Sequence, residues 1–148
     1  MNHMKEISEN EHLYNCLSSF LNQYEISDLE NALKLYRSTH QAYVCKTKHS
    51  ISRLNIYDIC YLEIQKHNIA VHTQNEIYHK YGSLTNELKL LSPYGFLKCS
   101  KSCIVSVRKI QSIQNNDIVL LNGARIHMSR KYSSNILIAF SQNKSYKA

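Results

Sequence analysis

Glycine and proline are scarce in this chain, with three glycines and one proline among 148 residues. No glycine-rich loop can be assembled to cradle a phosphate group, so the usual scaffold of nucleotide chemistry is missing. Paired carboxylates are lacking as well, and no nucleophile has a base and an orienting group beside it, which argues against an enzyme. No run approaches the roughly eighteen apolar residues of a membrane span. The first ten residues are polar and acidic, unlike a signal peptide. The five cysteines, Cys16, Cys45, Cys60, Cys99 and Cys103, are odd in number and show no CxxC spacing. Free thiols in a reducing, cytoplasmic compartment suit that count better than a disulfide framework. A zinc site from Cys99, Cys103 and a histidine would need a second cysteine pair, so neither metal nor cofactor is expected.

Positive charge is plentiful, and it is unevenly placed. Residues 1–43 carry three Lys or Arg against six acids, whereas residues 44–148 carry fifteen against five, so an acidic head precedes a body of net +10. A basic body is the electrostatic footprint of a polyanion binder, although a solubilising surface has the same sign. One ordinary core is all that this length supports, and one main domain with a small appendage is expected.

The head reads as helical. Ser8 to Glu11 and Ser27 to Glu30 both fit the capping box, in which a hydroxyl and a carboxylate three residues later satisfy backbone N–H groups. Leu13, Cys16, Leu17, Phe20, Leu21 and Tyr24, then Leu29, Ala32, Leu33 and Tyr36, recur at three- and four-residue spacing. The pattern describes a helical hairpin over residues 1–42, which either packs on its own domain or serves a homodimer or a regulatory protein partner. Beyond it, β-branched and aromatic alternation marks strands at 42–47, 50–54, 59–65, 68–73, 76–81, 109–114 and 117–121. Ser83 opens a helix from Leu84 to Leu91, with Glu87 closing its box, and a last helix runs from Arg130 towards Phe140. Residues 43–148 are thus a mainly β, α+β domain of short antiparallel strands.

The densest chemistry lies between residues 93 and 132. The extended segment from Phe96 to Val105 holds Lys98, Ser100, Lys101 and Ser102, and Ser129, Arg130 and Lys131 follow near the C-terminus. Such groups hold phosphate oxygens and base edges. Arg130 offers a planar fork of donors that suits guanine O6 and N7, whereas Lys98, Lys101 and Lys131 are point charges suited to phosphates. Ser100 and Ser102 can donate to phosphates or close a turn on their own backbone. His67, at a hairpin tip, can reach a base edge or simply be solvated; His72, His79 and His127 read as surface or cross-strand groups. Cys99 lies between Lys98 and Lys101 in sequence, which would favour its thiolate and make it readily oxidised if it were exposed.

In their order, several segments of the chain resemble the LytTR DNA-binding domain: Asp58 to Glu63; Gly82-Ser83-Leu84 with Glu87-Leu88; Phe96 to Val105; Ile110 and Ile113; Leu121-Asn122-Gly123; and Ile126 to Tyr132. The resemblance runs from about residue 44 to the C-terminus. It implies an elongated β-β-β arrangement of antiparallel sheets that places loops in the major groove of promoter direct repeats. Carried over by motif, it implies DNA contacts from Lys66, His67 and Asn68, from the segment Lys98 to Ser102, and from Arg130. Ser106 stands where the family commonly has Asn, and Ser100 where His is frequent. No receiver domain fits into 43 residues with two helices, so phosphotransfer to the chain is not expected.

The leading expectation is a sequence-specific transcription regulator of double-stranded DNA. A protein-interaction module, such as an anti-activator that sequesters a related regulator through its helical hairpin, is the alternative. RNA binding ranks lower, because the aromatic platforms that stack single strands are not evident.

Overall fold

In the computed structural model, residues 3–142 are described, with nothing stated of the side chains of residues 38–40. The chain divides into two compact units, residues 1–36 and 37–148, so the division falls within a helix and ahead of the expected 42/43 boundary. In the first unit, α1 spans His3–Glu9, α2 spans Glu11–Gln23, and α3 begins at Ile26 and runs to His40. The head therefore has three helices where a two-helix hairpin was expected. Ser8 does not start a helix: it lies inside α1, and its hydroxyl donates to the Lys5 carbonyl oxygen. Asn10 caps α2 instead, its side-chain oxygen accepting from the Leu13 N–H at 2.9 Å. At α3 the carboxylate of Asp28 accepts from the Glu25 N–H at 2.9 Å, which puts the cap two residues before Ser27. Neither α1 nor α2 contains a buried residue.

The second unit is built from antiparallel strands. β1 (Ala42–Lys46) pairs with β2 (Ile51–Asn55). A five-stranded sheet follows, made of β3 (Ile59–Gln65), β4 (Asn68–Thr73), β5 (Ile77–Tyr81), β6 (Phe96–Ser100) and β7 (Cys103–Ser106), in the order β5-β4-β3-β7-β6. β8 (Ile110–Gln114), β9 (Asp117–Leu120) and β10 (Arg125–His127) form a three-stranded sheet in the order β10-β9-β8. α4 (Leu84–Leu91) and α5 (Arg130–Gln142) complete the unit. The mainly β, antiparallel class expected for it is the class observed.

Alternation along the strands divides the interior in two. Leu62 and Ile104 face each other across β3 and β7 and join Tyr43, Ile56, Ile69, Val71, Leu84, Leu91 and Phe96 in one core. Tyr61 and Val105, one position along, turn the other way, where Val105 packs with Ile110, Ile118, Leu120, Met128 and Ile136. One side chain of this size contributes about 1.5–3 kcal/mol on full burial, so the two clusters rather than propensity hold the sheets together.

The first core also contains a polar lock. The Tyr43 hydroxyl and the Lys80 ammonium both donate to Glu87 Oε1, each at 2.5 Å, and the ammonium lies 4.5 Å from the centre of the Tyr43 ring. Glu87 is thus committed to β1 and β5 and does not close a capping box. Ser83 caps α4 through the Asn86 N–H. Burial, then the bond to Glu87, raises the Tyr43 phenol far above its ordinary pKa.

Candidate nucleic-acid interface

Two hairpin loops and the start of α5 gather at one end of the five-stranded sheet. β3 turns into β4 through a two-residue loop, Lys66-His67, with Gln65 paired to Asn68. Lys66 adopts the left-handed conformation (φ 59°). That backbone costs a non-glycine residue roughly 1–2 kcal/mol, and here it leaves a cation at the loop tip.

The second loop shows that the stretch from 96 to 105 is a hairpin and not one extended segment. β6 and β7 are joined through Lys101-Ser102, and the register shifts between Lys98 and Ser100. The Ser102 N–H donates to the Ser100 hydroxyl oxygen at 3.3 Å, so Ser100 closes the turn. The Ser102 carbonyl oxygen accepts from the Ile64 N–H at 2.9 Å and ties this turn to the end of β3.

The third group, Ser129-Arg130-Lys131, starts α5 and is drawn in by a backbone bond from the Ser129 N–H to the Cys99 carbonyl oxygen at 2.9 Å. Its position is reinforced by Tyr132, whose ring is within reach of two cations: Lys98 Nζ is 5.8 Å and Lys131 Nζ 5.5 Å from its centre. Tyr132 belongs to the positioning of this surface, yet the sequence reading gave it no role. Its signal was a lysine immediately before it, but the partner from β6 is invisible without the fold.

All ten residues singled out in the sequence, Lys66, His67, Asn68, Lys98, Ser100, Lys101, Ser102, Ser129, Arg130 and Lys131, fall in these three places. None of the three contributes an acid. Glu63, two residues before the end of β3, accepts from His72 Nε2 at 2.8 Å, and the His72 ring stacks 4.0 Å from Tyr61. Asn68 bonds to His79 across β4 and β5 at 3.3 Å, an alternative to DNA for its amide. Ser106 lies at the far end of β7, opposite Phe96, and is buried, so the departure from the family pattern there does not alter the loop surface.

Cys99 is a correction. Its side chain is fully buried, with Sγ donating to the Cys103 carbonyl oxygen at 3.6 Å, so the neighbouring lysines do not present it to solvent. The residue falls at the β6 irregularity, which turns the thiol inward. The hydrogen bond with Cys99, together with burial, pushes the Cys103 thiol up. Of the five cysteines, only Cys16 is exposed. Iodoacetamide on the folded protein should therefore alkylate Cys16 and spare Cys45, Cys60, Cys99 and Cys103 until denaturant is added. Intact-mass kinetics with peptide mapping checks this, and modification of Cys99 as fast as Cys16 would contradict the buried placement.

Antiparallel sheets ending in a carboxylate-free set of cationic loops define a nucleic-acid-binding module. The profile of the LytTr DNA-binding domain matches residues 49–140, and the chain belongs to that family. Among solved structures, it is similar to the LytTr DNA-binding domain of a protein described as a methyl-accepting/DNA response regulator from Bacillus cereus. The TM-score is 0.59 at 23% identity, over 66% of this chain and 94% of that one. No match was found among curated proteins. No helix among the described residues is long and apolar enough to cross a membrane.

Proposed function

We propose that this regulator of transcription reads double-stranded promoter DNA by placing the Lys66-His67 loop, the Lys101-Ser102 loop and the start of α5 in the major groove. The observation that carries the reading is the gathering of Lys66, Lys98, Lys101, Arg130 and Lys131 at one end of a sheet in a LytTr-family chain. The lysines hold phosphates and set the register, while Arg130 and His67 face base edges. Direct repeats, two copies acting together, and a cytoplasmic site of action belong to the same reading. The N-terminal helices favour pairing of two copies, because Leu13, Tyr14, Leu21, Tyr24, Ile26, Leu33 and Tyr36 are all exposed.

The test is a pair of substitutions measured on the preferred duplex and on random duplexes. Arg130→Ala should cost about 1–3 kcal/mol on the preferred site and relax discrimination at one base pair. Lys101→Ala should weaken all duplexes alike. Equal losses for Arg130→Ala on specific and random DNA would remove Arg130 from base reading, and a wild-type chain that ignores duplex DNA at low salt would end the proposal.

A further inference from the structure

At the other end of the five-stranded sheet, away from the loops described above, the second unit contains an open surface pocket of about 500 Å³. It lies where the β2 segment Arg53 to Asn55, Asp58, the β4–β5 turn and Lys109 come together. The volume falls within the range of small-molecule sites, roughly 300–1,000 Å³. The lining is polar rather than greasy. Arg53 and Lys109 bring two positive charges, Asp58 and Glu76 two negative ones, and Asn55 an amide.

Arg53, Asp58 and Glu76 are exposed and Lys109 is half-buried around the pocket, and these opposite charges do not close on one another. Among the described residues, the ion pairs lie elsewhere, and none joins Arg53, Asp58, Glu76 or Lys109 to an opposite charge. Lys109 Nζ instead sits 4.2 Å from the centre of the Tyr57 ring, and the Glu76 backbone N–H and carbonyl oxygen are both bonded to the Thr73 hydroxyl across the β4–β5 turn. With two charges of each sign, the pocket has no net preference for a simple anion or cation. A solute carrying both charges would satisfy both sets with charge-assisted hydrogen bonds.

We infer that this pocket binds a small zwitterion, an amino acid or short peptide whose carboxylate meets Arg53 and Lys109 and whose ammonium group meets Asp58 and Glu76. The site needs none of the DNA-facing residues, so it stands or falls independently of the proposed function.

The experiment titrates the full-length, isotope-labelled protein with pools of tripeptides in free and doubly blocked (N-acetylated, C-amidated) form, and with inorganic phosphate, following backbone amide shifts. Expected are saturable shifts around residues 53–58 and 73–76 for a free pool, with a dissociation constant on the order of 1 mM or tighter. Blocking both termini, or Arg53→Ala, or Asp58→Asn, should weaken the response about tenfold or more, with the rest of the spectrum unchanged. Free single amino acids matching the peptides would place the ligand at the small end of the class. Equal response to blocked and free peptides, an equal response to phosphate alone, or no saturable shift with any free pool into the millimolar range would each overturn the inference. Duplex binding measured on the same samples separates this outcome from the fate of the DNA reading.

Discussion

Raising the salt concentration fourfold is expected to weaken duplex binding by one LytTr-like domain about 150-fold. In the proposed reading four lysines, Lys66, Lys98, Lys101 and Lys131, neutralise phosphates, and each released counterion adds about 0.9 to the slope of log K against log salt, for a total near −3.6. Lys66 stands at a loop tip, Lys101 in the β6–β7 turn, and Lys98 and Lys131 about the Tyr132 ring. Two domains on paired repeats would roughly double the slope. Fluorescence titrations across a salt series measure it, and replacing all four lysines with alanine should flatten it towards zero. A wild-type slope shallower than about −1 would mean that the lysines stay off the backbone, leaving the loops to some other partner.

Glu87→Ala should destabilise the second unit by about 3–5 kcal/mol, the range for removing one partner of a buried ion pair. The side chains of Lys80 and Glu87 are only 17% and 9% exposed, so little solvent screens the charge that would be left behind. The Tyr43 hydroxyl, buried with its ring, would lose its acceptor at the same time. Glu87→Gln, which keeps an acceptor oxygen but no charge, should fall between the wild type and the alanine variant. Urea unfolding with unchanged m-values would read the loss as a shift of midpoint. A change below about 0.5 kcal/mol would show the lock to be an ordinary surface arrangement.

Much of the architecture was legible because its code is local. Alternation of apolar and polar residues located β1 to β5, β8 and β9 close to their observed limits, since one face of each strand must meet a core. The signal failed where both faces or none are covered. β7 is buried at every position, so Cys103 to Ser106 shows no alternation. It merged with β6 into one apparent segment, and the turn between them went unseen. β10 has only three residues, and its existence depends on pairing with β9. At the N-terminus Ser8 and Glu11 satisfied a capping pattern, but Asn10 competed with a side-chain oxygen better placed for the Leu13 N–H. Cys99 was misjudged for a related reason: sequence neighbours show which charges are near along the chain, whereas a strand irregularity decides which way a thiol points.

By itself the sequence determined the antiparallel class of the second unit, its basic charge and most of its strands, which follow from composition and short-range periodicity carried by residues close together in the chain. The ten residues of the candidate interface were nominated by the density of cations and hydroxyls and by the resemblance to the LytTR domain. Only the tertiary structure decided that Lys66, Lys101 and Arg130 belong to one end of one sheet. It also decided that Tyr132 meets Lys98, that Glu87 serves Tyr43 and Lys80 rather than its own helix, and that the charges around Arg53 surround a pocket without pairing. Each of these depends on strand order and register across long sequence separations, and a side chain's partner there is set by the packing of both cores rather than by its neighbours in the chain.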